Sequence, residues 1–347
     1  MLTINNVNIG ENNPPYIIAE LSANHNGSIK RAKDSIKAAK ESGASAVKIQ
    51  TYTADTMTLN SNREDFMIKG GLWDGYKLFD LYNEAHTPFE WHKDLFDYAR
   101  SIGITIFSSP FDESAVDLLE ELNTPAYKIA SFELIDLPLI KYIAKTKKPL
   151  LMSTGMASEK EINEAIFTAK NEGCKEILLF HCISSYPAPI SQANLKQMIA
   201  LKDRFKVPIG LSDHTIGDTA AIAATAMGAS AIEKHFTISR NDKGPDSEFS
   251  IEPDELHRLV INANNAWEGL GSANFQRPEA ENTSKTFRRS IYFVKDLCAG
   301  HIIDKADVRR IRPGFGLPPK HFDQVIGSKL VNDVKFGQPV SWEDIEI

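Results

Sequence analysis

Cysteine is scarce in this chain: Cys174, Cys182 and Cys298 are its three thiols, widely spaced and without a CxxC pair. That excludes a disulfide frame or a zinc knot and reads as reduced thiols in a cytoplasmic protein. Long apolar runs are missing as well. No stretch approaches the ~18 consecutive apolar residues of a membrane span. The opening MLTINNVNIGENNPPY has neither the basic start nor the apolar middle of a signal peptide. Lys and Arg form no stripe, and with a formal net charge of −7 nucleic acid is not an expected partner. A glycine-rich dinucleotide turn is also lacking after the first candidate strand.

What remains is ordinary globular composition, 42% hydrophobic and 24% charged over 347 residues, enough for a large barrel and a small extra module. Eight short apolar runs alternate with amphipathic helical patterns. They are YIIAEL (16–21), SAVKIQ (45–50), ITIFSS (104–109), PAYKIAS (125–131), PLLMST (149–154), EILLFHC (176–182), VPIGLS (207–212) and SAIEKHF (230–236). Helices are expected over 29–43 and 158–173, the second capped by Ser158 and ended by Gly173. Eight strand–helix units predict an α/β fold, a parallel (β/α)8 barrel over 1–270. The polar stretch 271–285 reads as a linker. Residues 286–347 read as a small β-rich module, with a turn-and-helix signal at GHIIDKADV and two late strands.

The end of nearly every run is polar: Glu20, Lys48, Gln50, Ser108, Ser109, Lys128, Ser131, Ser153, His181, Asp213, His214, Glu233, Lys234 and His235. A packed core would not tolerate them, whereas the mouth of a barrel would use them. His214 and His235 end adjacent strands, about 4.8 Å apart, and both imidazoles can reach one divalent ion, Mn²⁺ or Mg²⁺ in oxygen-rich surroundings. Lys48 and Lys128 with Ser109, Ser131 and Ser153 suit a phosphate. Two other readings stand beside this one: each lysine in a structural ion pair, or Lys128 as a Schiff-base nucleophile. Asp246 lies in a Gly-Pro-Asp turn beyond the last run, and Glu133 just past the fourth. The long segment 51–86 is rich in aromatics and glycine and leaves a strand end, so it belongs at the mouth.

Together AELSANHNGS (19–28), VKIQ (47–50), YKIAS (127–131), STGM (153–156), HCISSYPAP (181–189), GLSDHT (210–215), EKHFT (233–237) and GPD (244–246) resemble the sialic acid synthase family. GHIIDKADVRRIRPGFGL (300–317) resembles that family's antifreeze-like (SAF) domain. The loop KGGLWDGYKLFDLYNEAHTPFEW (69–91) is similar to the pseudaminic acid synthase branch. The resemblance implies an enzyme that joins phosphoenolpyruvate to an acylated amino-hexose with C–O cleavage. It implies a divalent metal (Mn²⁺, Mg²⁺ or Co²⁺) on His214 and His235, and a phosphate held by Lys48, Lys128, Ser109, Ser131, Ser153, Ser184 and Tyr186. Ser184 stands where sialic-acid-forming relatives typically place Asn. Glu20 and Asp246 would handle cation and water, while Glu133 and Gln50 would bind the sugar. Arg312 would enter the partner's barrel in a domain-swapped homodimer. The alternatives are a synthase for N-acetylneuraminate or legionaminic acid, a Schiff-base aldolase, and a non-catalytic carbohydrate-binding protein.

Overall fold

The computed structural model describes residues 2–70 and 73–346. Gly71 and Leu72, inside the quoted 69–91 loop, lie outside the described residues. The chain divides into two compact units, 1–271 and 272–347.

In the first unit eight parallel strands close into a barrel: β3 (Tyr16–Glu20), β4 (Ala46–Thr51), β5 (Thr105–Pro110), β6 (Tyr127–Ile129), β7 (Leu150–Ser153), β8 (Ile177–Cys182), β9 (Ile209–Asp213) and β10 (Ala231–His235), with β10 pairing back onto β3. Each is apolar on both faces because the helices cover one side and the barrel interior the other. Outward residues such as Ile17, Val47, Ile106, Ile129 and Leu179 join the helix layer in one core. Inward residues Ile18, Ala46, Phe107, Ala126, Leu151, Leu178, Phe180 and Ala231 form a second. Gly210 faces Phe180: a Cβ there would lie 2.6 Å from the Phe180 ring and from the Ala231 carbonyl, so glycine makes room for the aromatic filling.

The helix signals read from sequence are present. Ser158 accepts from the Glu161 N–H while Glu161 returns a bond to the Ser158 N–H, opening the helix Glu159–Asn171. Gly173 follows at φ +97°, a left-handed position that glycine takes without strain. The helix Ile29–Glu41 starts on Ser28 and buries Ala32, Ile36 and Ala39.

One element has no counterpart in the sequence reading. A hairpin, β1 (Leu2–Ile4) and β2 (Val7–Ile9), turns on Asn5 and Asn6, both at positive φ. Its Leu2, Ile4 and Ile9 are fully buried with the inward core. Thr3 donates to Glu176 and Asn5 to Thr105, residues at the starts of β8 and β5, so the hairpin plugs the end opposite the mouth.

Strand alternation corrects one expectation. Inward residues recur every second position, which puts Glu20, Lys48, Gln50, Ser109, Lys128, Ser153, Cys182, Ser212, Glu233 and His235 toward the lumen. Ser108, His181, Asp213 and Lys234 fall in the other phase and face the helix layer. Ser108 bonds Thr51, which bonds His92 of the helix Phe89–Ile102, and His181 bonds the Ala193 carbonyl at 2.8 Å.

The segment after β4 has regular elements among its described residues. It contains the helices Ala54–Met57 and Leu78–Ala85 and an antiparallel bridge between Met67 and Lys77.

The second unit begins with an exposed stretch and contains β11 (Ser290–Phe293) paired with β12 (Val308–Ile311), and β13 (Lys329–Leu330) paired with β14 (Ile345–Glu346). Its own core gathers Ile291, Phe293, Ile303, Val308, Val325, Val334 and Val340. The helix expected at GHIIDKADV is instead a turn. Asp307 is buried there and accepts from Lys295, His301 and the Asp304 N–H, holding the turn closed.

Candidate active site

Two lysines and two glutamates meet in the lumen. Lys48 Nζ lies 2.7 Å from Glu20 and 3.8 Å from Glu233, and donates to Ser109 at 3.2 Å. Lys128 Nζ is 2.9 Å from Glu233 and 4.7 Å from the centre of the Phe180 ring. Ser212 also donates to Glu233. All four charged groups are at most 5% exposed, so the structural ion pairing considered from sequence is present, but inside the mouth and not on a surface. Burial pushes the Glu233 carboxyl up; Lys128, Lys48 and the Ser212 hydroxyl outweigh it and bring the group down to about 2. Glu20 goes the other way, raised by burial and by Glu233 beyond what Lys48 offsets. The floor therefore holds one firmly anionic and one proton-accepting carboxylate beside two cations. Gln50 gives its amide N–H groups to Glu20 and Ser22, and so orients Glu20. Across from it, Asp246 accepts from the Ala23 N–H at 3.2 Å, and burial raises its carboxyl.

A second cluster is made of hydroxyls. Gly155 donates its N–H to Ser131 Oγ at 3.2 Å. A Cβ on Gly155 would come within 2.2 Å of Ser184 Oγ and 2.7 Å of Ser131 Oγ. Glycine thus lets a backbone turn approach two hydroxyls in a small cradle, and its N–H, by donating to Ser131 Oγ, leaves that O–H free to point at an anion.

Imidazoles and aromatics form the third cluster. The His214 and His235 rings lie 5.4 Å apart, and Tyr186 stands 4.3 Å from the first and 5.9 Å from the second. Phe249 packs 4.9 Å from His235 and 5.3 Å from Tyr186, and Trp73 from the long segment reaches Tyr186 at 6.1 Å. His214 Nδ1 is 2.9 Å from the Ile183 carbonyl. A carbonyl only accepts, so Nδ1 carries a proton, as in the usual arrangement of a metal-binding histidine, and Nε2 is the atom left to face a metal; burial lowers this imidazole, but Cys182 and the Ile183 carbonyl outweigh it and raise it. His235 Nδ1 is buried without a partner, and burial with His214 nearby holds the ring well below the ordinary imidazole range, in its neutral, ligating form. The pair fits a divalent metal. Among the described residues no group of three or more His, Cys, Asp or Glu is spaced to hold an ion, so substrate or water would complete the coordination.

The NeuB family profile matches residues 35–275, and the SAF domain profile matches 288–346. The chain belongs to the NeuB family. It is 44% identical over 331 residues to the pseudaminic acid synthase of Campylobacter jejuni, covering 95% of this chain and 96% of that one. It is 44% identical over 334 residues to the pseudaminic acid synthase of Helicobacter pylori, covering 96% and 98%. A solved N-acetylneuraminic acid synthetase from Leptospira borgpetersenii, in complex with citrate, superposes with a TM-score of 0.73 at 32% identity over 82% of this chain and 94% of that one.

On this NeuB barrel, Glu20, Lys48, Gln50, Ser109 and Lys128 form one connected network; Ser131 and Ser184 share the cradle; and His214, His235 and Tyr186 share the aromatic cluster. Cys182 links the last two, 3.9 Å from Ser184 Oγ and 3.8 Å from His214 Nδ1. Ser153 ends β7 on the inward phase. Glu133 stands apart on the short helical turn Phe132–Ile135. Arg312 is exposed in the second unit, beside a cis bond to Pro313. Of the aromatics in the 51–86 segment, Trp73 joins the histidine cluster, whereas Tyr76 is 46% exposed. The sequence reading gave Glu233 no role beyond its place at a strand end, and did not single out Ser212, Gly155 or Asn24. Asn24 bonds the Phe236 carbonyl, Ser250 and Ser247, tying the first mouth loop to the loop of Asp246.

Glu133 allows a test of electrostatics. Burial raises its carboxyl to about 7, and its Oε2 has no hydrogen-bond partner. The folded state then holds a proton that the unfolded chain releases near pH 4.5, so this group's stabilisation is full below that pH and is lost as pH rises through 7. Glu133→Gln is expected to be more stable than the parent at pH 8 by about 2 kcal/mol, after allowing for partial exposure. The difference should vanish below about pH 4.5. Urea titrations at both pH values measure it, and an equal gain at both would contradict the assignment.

Proposed function

We propose that the chain is a pseudaminic acid synthase, condensing phosphoenolpyruvate with 2,4-diacetamido-2,4,6-trideoxy-L-altrose and water to give pseudaminic acid and phosphate. The observation that carries this is the meeting, in one barrel mouth, of two imidazoles with a lysine–hydroxyl anion site, in a chain alike along its length to pseudaminic acid synthases. His214 and His235 would hold a divalent metal, Mn²⁺, Mg²⁺ or Co²⁺, which when bound supplies Lewis-acid polarisation of the sugar's aldehyde oxygen.

The chain's own groups account for the rest. Lys48, Lys128, Ser109, Ser153 and Tyr186, with the cradle hydroxyls of Ser131 and Ser184, bind and orient phosphoenolpyruvate. Its C3 forms a bond to the aldehyde carbon, and C2 is left cationic. The buried carboxylates stabilise that charge. Water adds to C2, with Glu20 or Asp246, both raised by burial, taking its proton. The C2–O bond then breaks as the added hydroxyl gives up its proton and becomes the ketone, and phosphate leaves with the bridging oxygen; the two protons of the water end on the former aldehyde oxygen and on phosphate. Gln50 holds Glu20, and Glu133 meets the sugar. Arg312 from a second copy's SAF domain would complete the site in a domain-swapped homodimer. Trp73, beside Tyr186, offers the apolar face that a 6-deoxy, N-acylated sugar presents methyl groups to.

The test compares kcat/KM for the trideoxy diacetamido sugar and for N-acetylmannosamine under identical metal and phosphoenolpyruvate, using phosphoenolpyruvate labelled with ¹⁸O at the bridging position. We expect the first sugar to be preferred and the label to leave with phosphate. Preference for N-acetylmannosamine would assign the chain to sialic acid synthesis. Label in the sugar acid would overturn the C–O cleavage. A second reading keeps one observation in its favour: burial lowers the Lys128 ammonium, as a Schiff-base lysine requires, though Glu233 at 2.9 Å opposes it. Borohydride in the presence of substrate should leave no covalent adduct on Lys128; an adduct would favour the aldolase.

A further inference from the structure

Asp213 and Lys234 raise a separate question, since they sit on the outward phase of β9 and β10 where aliphatic residues are the norm. They are paired in register, and each side chain is only 1% exposed. A buried ion pair is seldom retained for stability: desolvation costs several kcal/mol per ion, and an apolar pair of similar volume is often as stable. What the two side chains hold is informative.

Asp213 Oδ2 binds Lys234 Nζ at 2.8 Å. Asp213 Oδ1 accepts from both the Thr215 N–H at 2.9 Å and the Thr215 hydroxyl at 2.8 Å. Lys234 Nζ donates again, to the Thr215 carbonyl at 2.6 Å. His214 is the residue between, and its own carbonyl accepts from the Ala188 N–H at 2.9 Å. The peptide unit that follows His214 is therefore held at both its N–H and its carbonyl, and the next one at the Thr215 carbonyl, with the Asp213–Lys234 pair on the outward face of the sheet. Lys234 belongs to the strand that carries His235 one residue on. One ion pair thus ties together the two strand ends that bear the two imidazoles.

We propose that Asp213 and Lys234 are positioning residues: a clamp behind the sheet that sets the spacing and aim of His214 relative to His235. This rests on the reading of those histidines as metal ligands. The clamp touches neither metal nor substrate, and it acts through the Thr215 peptide. Its loss would leave the fold in place and loosen the donor pair.

The experiment measures Mn²⁺ binding to the full-length protein by isothermal titration calorimetry and electron paramagnetic resonance. The variants are Asp213→Asn, Lys234→Met and the apolar pair Asp213→Leu/Lys234→Met, with His214→Ala as reference. We expect His214→Ala to lose measurable binding and the clamp variants to raise the Mn²⁺ Kd by about 10–100-fold, the range for residues that orient a ligand. Their kcat should fall at sub-saturating Mn²⁺ and recover in excess Mn²⁺, with the KM for phosphoenolpyruvate little changed. A purely structural role would reduce the binding stoichiometry with the folded fraction and leave Kd where it was. If His214→Ala binds Mn²⁺ like the parent, the metal reading fails and the clamp with it. If His214→Ala loses the ion while folded clamp variants keep the parental Kd, the clamp alone is wrong. Thr215→Val, which removes one hydroxyl and no charge, serves if the ion-pair variants do not fold; it should weaken Mn²⁺ in the same direction, and parental affinity there would equally overturn the proposal.

Discussion

Replacing His235 by alanine is expected to lower kcat by about 10³-fold or more, the weight of several kcal/mol of Lewis-acid stabilisation. It should also remove bound divalent metal without lowering the melting temperature relative to metal-free parent protein. The fold does not need this ring as a polar group, since its Nδ1 is buried without a partner and burial holds it neutral. Taking away a buried, unsatisfied nitrogen relieves a desolvation cost of about 1–3 kcal/mol, which offsets the lost packing against Phe249 and Tyr186. A collapse in melting temperature would place His235 among the structural residues. Full turnover in chelator-treated parent protein would remove the metal from the mechanism.

The second large effect is expected at Gly155, which touches no charge. Gly155→Ala should cut kcat/KM for phosphoenolpyruvate by about 100-fold, equivalent to roughly 2.7 kcal/mol. The added carbon would sit 2.2 Å from Ser184 Oγ and 2.7 Å from Ser131 Oγ, so both hydroxyls must swing out of the cradle. The KM of the sugar should move far less, because the obstruction lies at the anion site. Pairing it with Ser184→Gly makes room for the carbon, and that double variant should recover part of the loss. Equal damage to both substrates, or none, would show that the cradle is not where the phosphate sits.

Much of this architecture could be read from the chain because parallel barrel strands are short, doubly apolar runs with polar residues where they reach the mouth. The phase within a run could not. In an alternating antiparallel strand the pattern itself tells inside from outside, but a strand covered on both faces is apolar at every position. So Glu233, Lys234 and His235 read as one polar triplet, and only the closed barrel separates the lumen-facing Glu233 and His235 from Lys234 behind the wall. Ser108 and His181 read as mouth residues for the same reason. The β1–β2 hairpin did leave a signal, two asparagines between alternating apolar residues, of the kind that favours a tight turn with positive φ. Gly155 left a weaker one, because nothing in STGM says which hydroxyls its bare backbone will meet.

Strand β10 carries His235 and also joins the two ends of the barrel, with His235 set beside Glu20 of β3 across more than two hundred residues of chain. Such a ladder is the latest kind of contact to form, because almost the whole unit must be made and arranged before its partners meet. The β9–β10 pairing alone brings the two histidines together, but a site that joins them to Glu20 exists only in molecules whose barrel has shut. A substrate that spans His235 and Glu20 draws on that closed population alone, and stabilises it by mass action, by an amount that grows with the logarithm of its concentration over its dissociation constant. The chemistry of the mouth and the final topological event of folding share one latch, and a chain that has failed to close presents half a site.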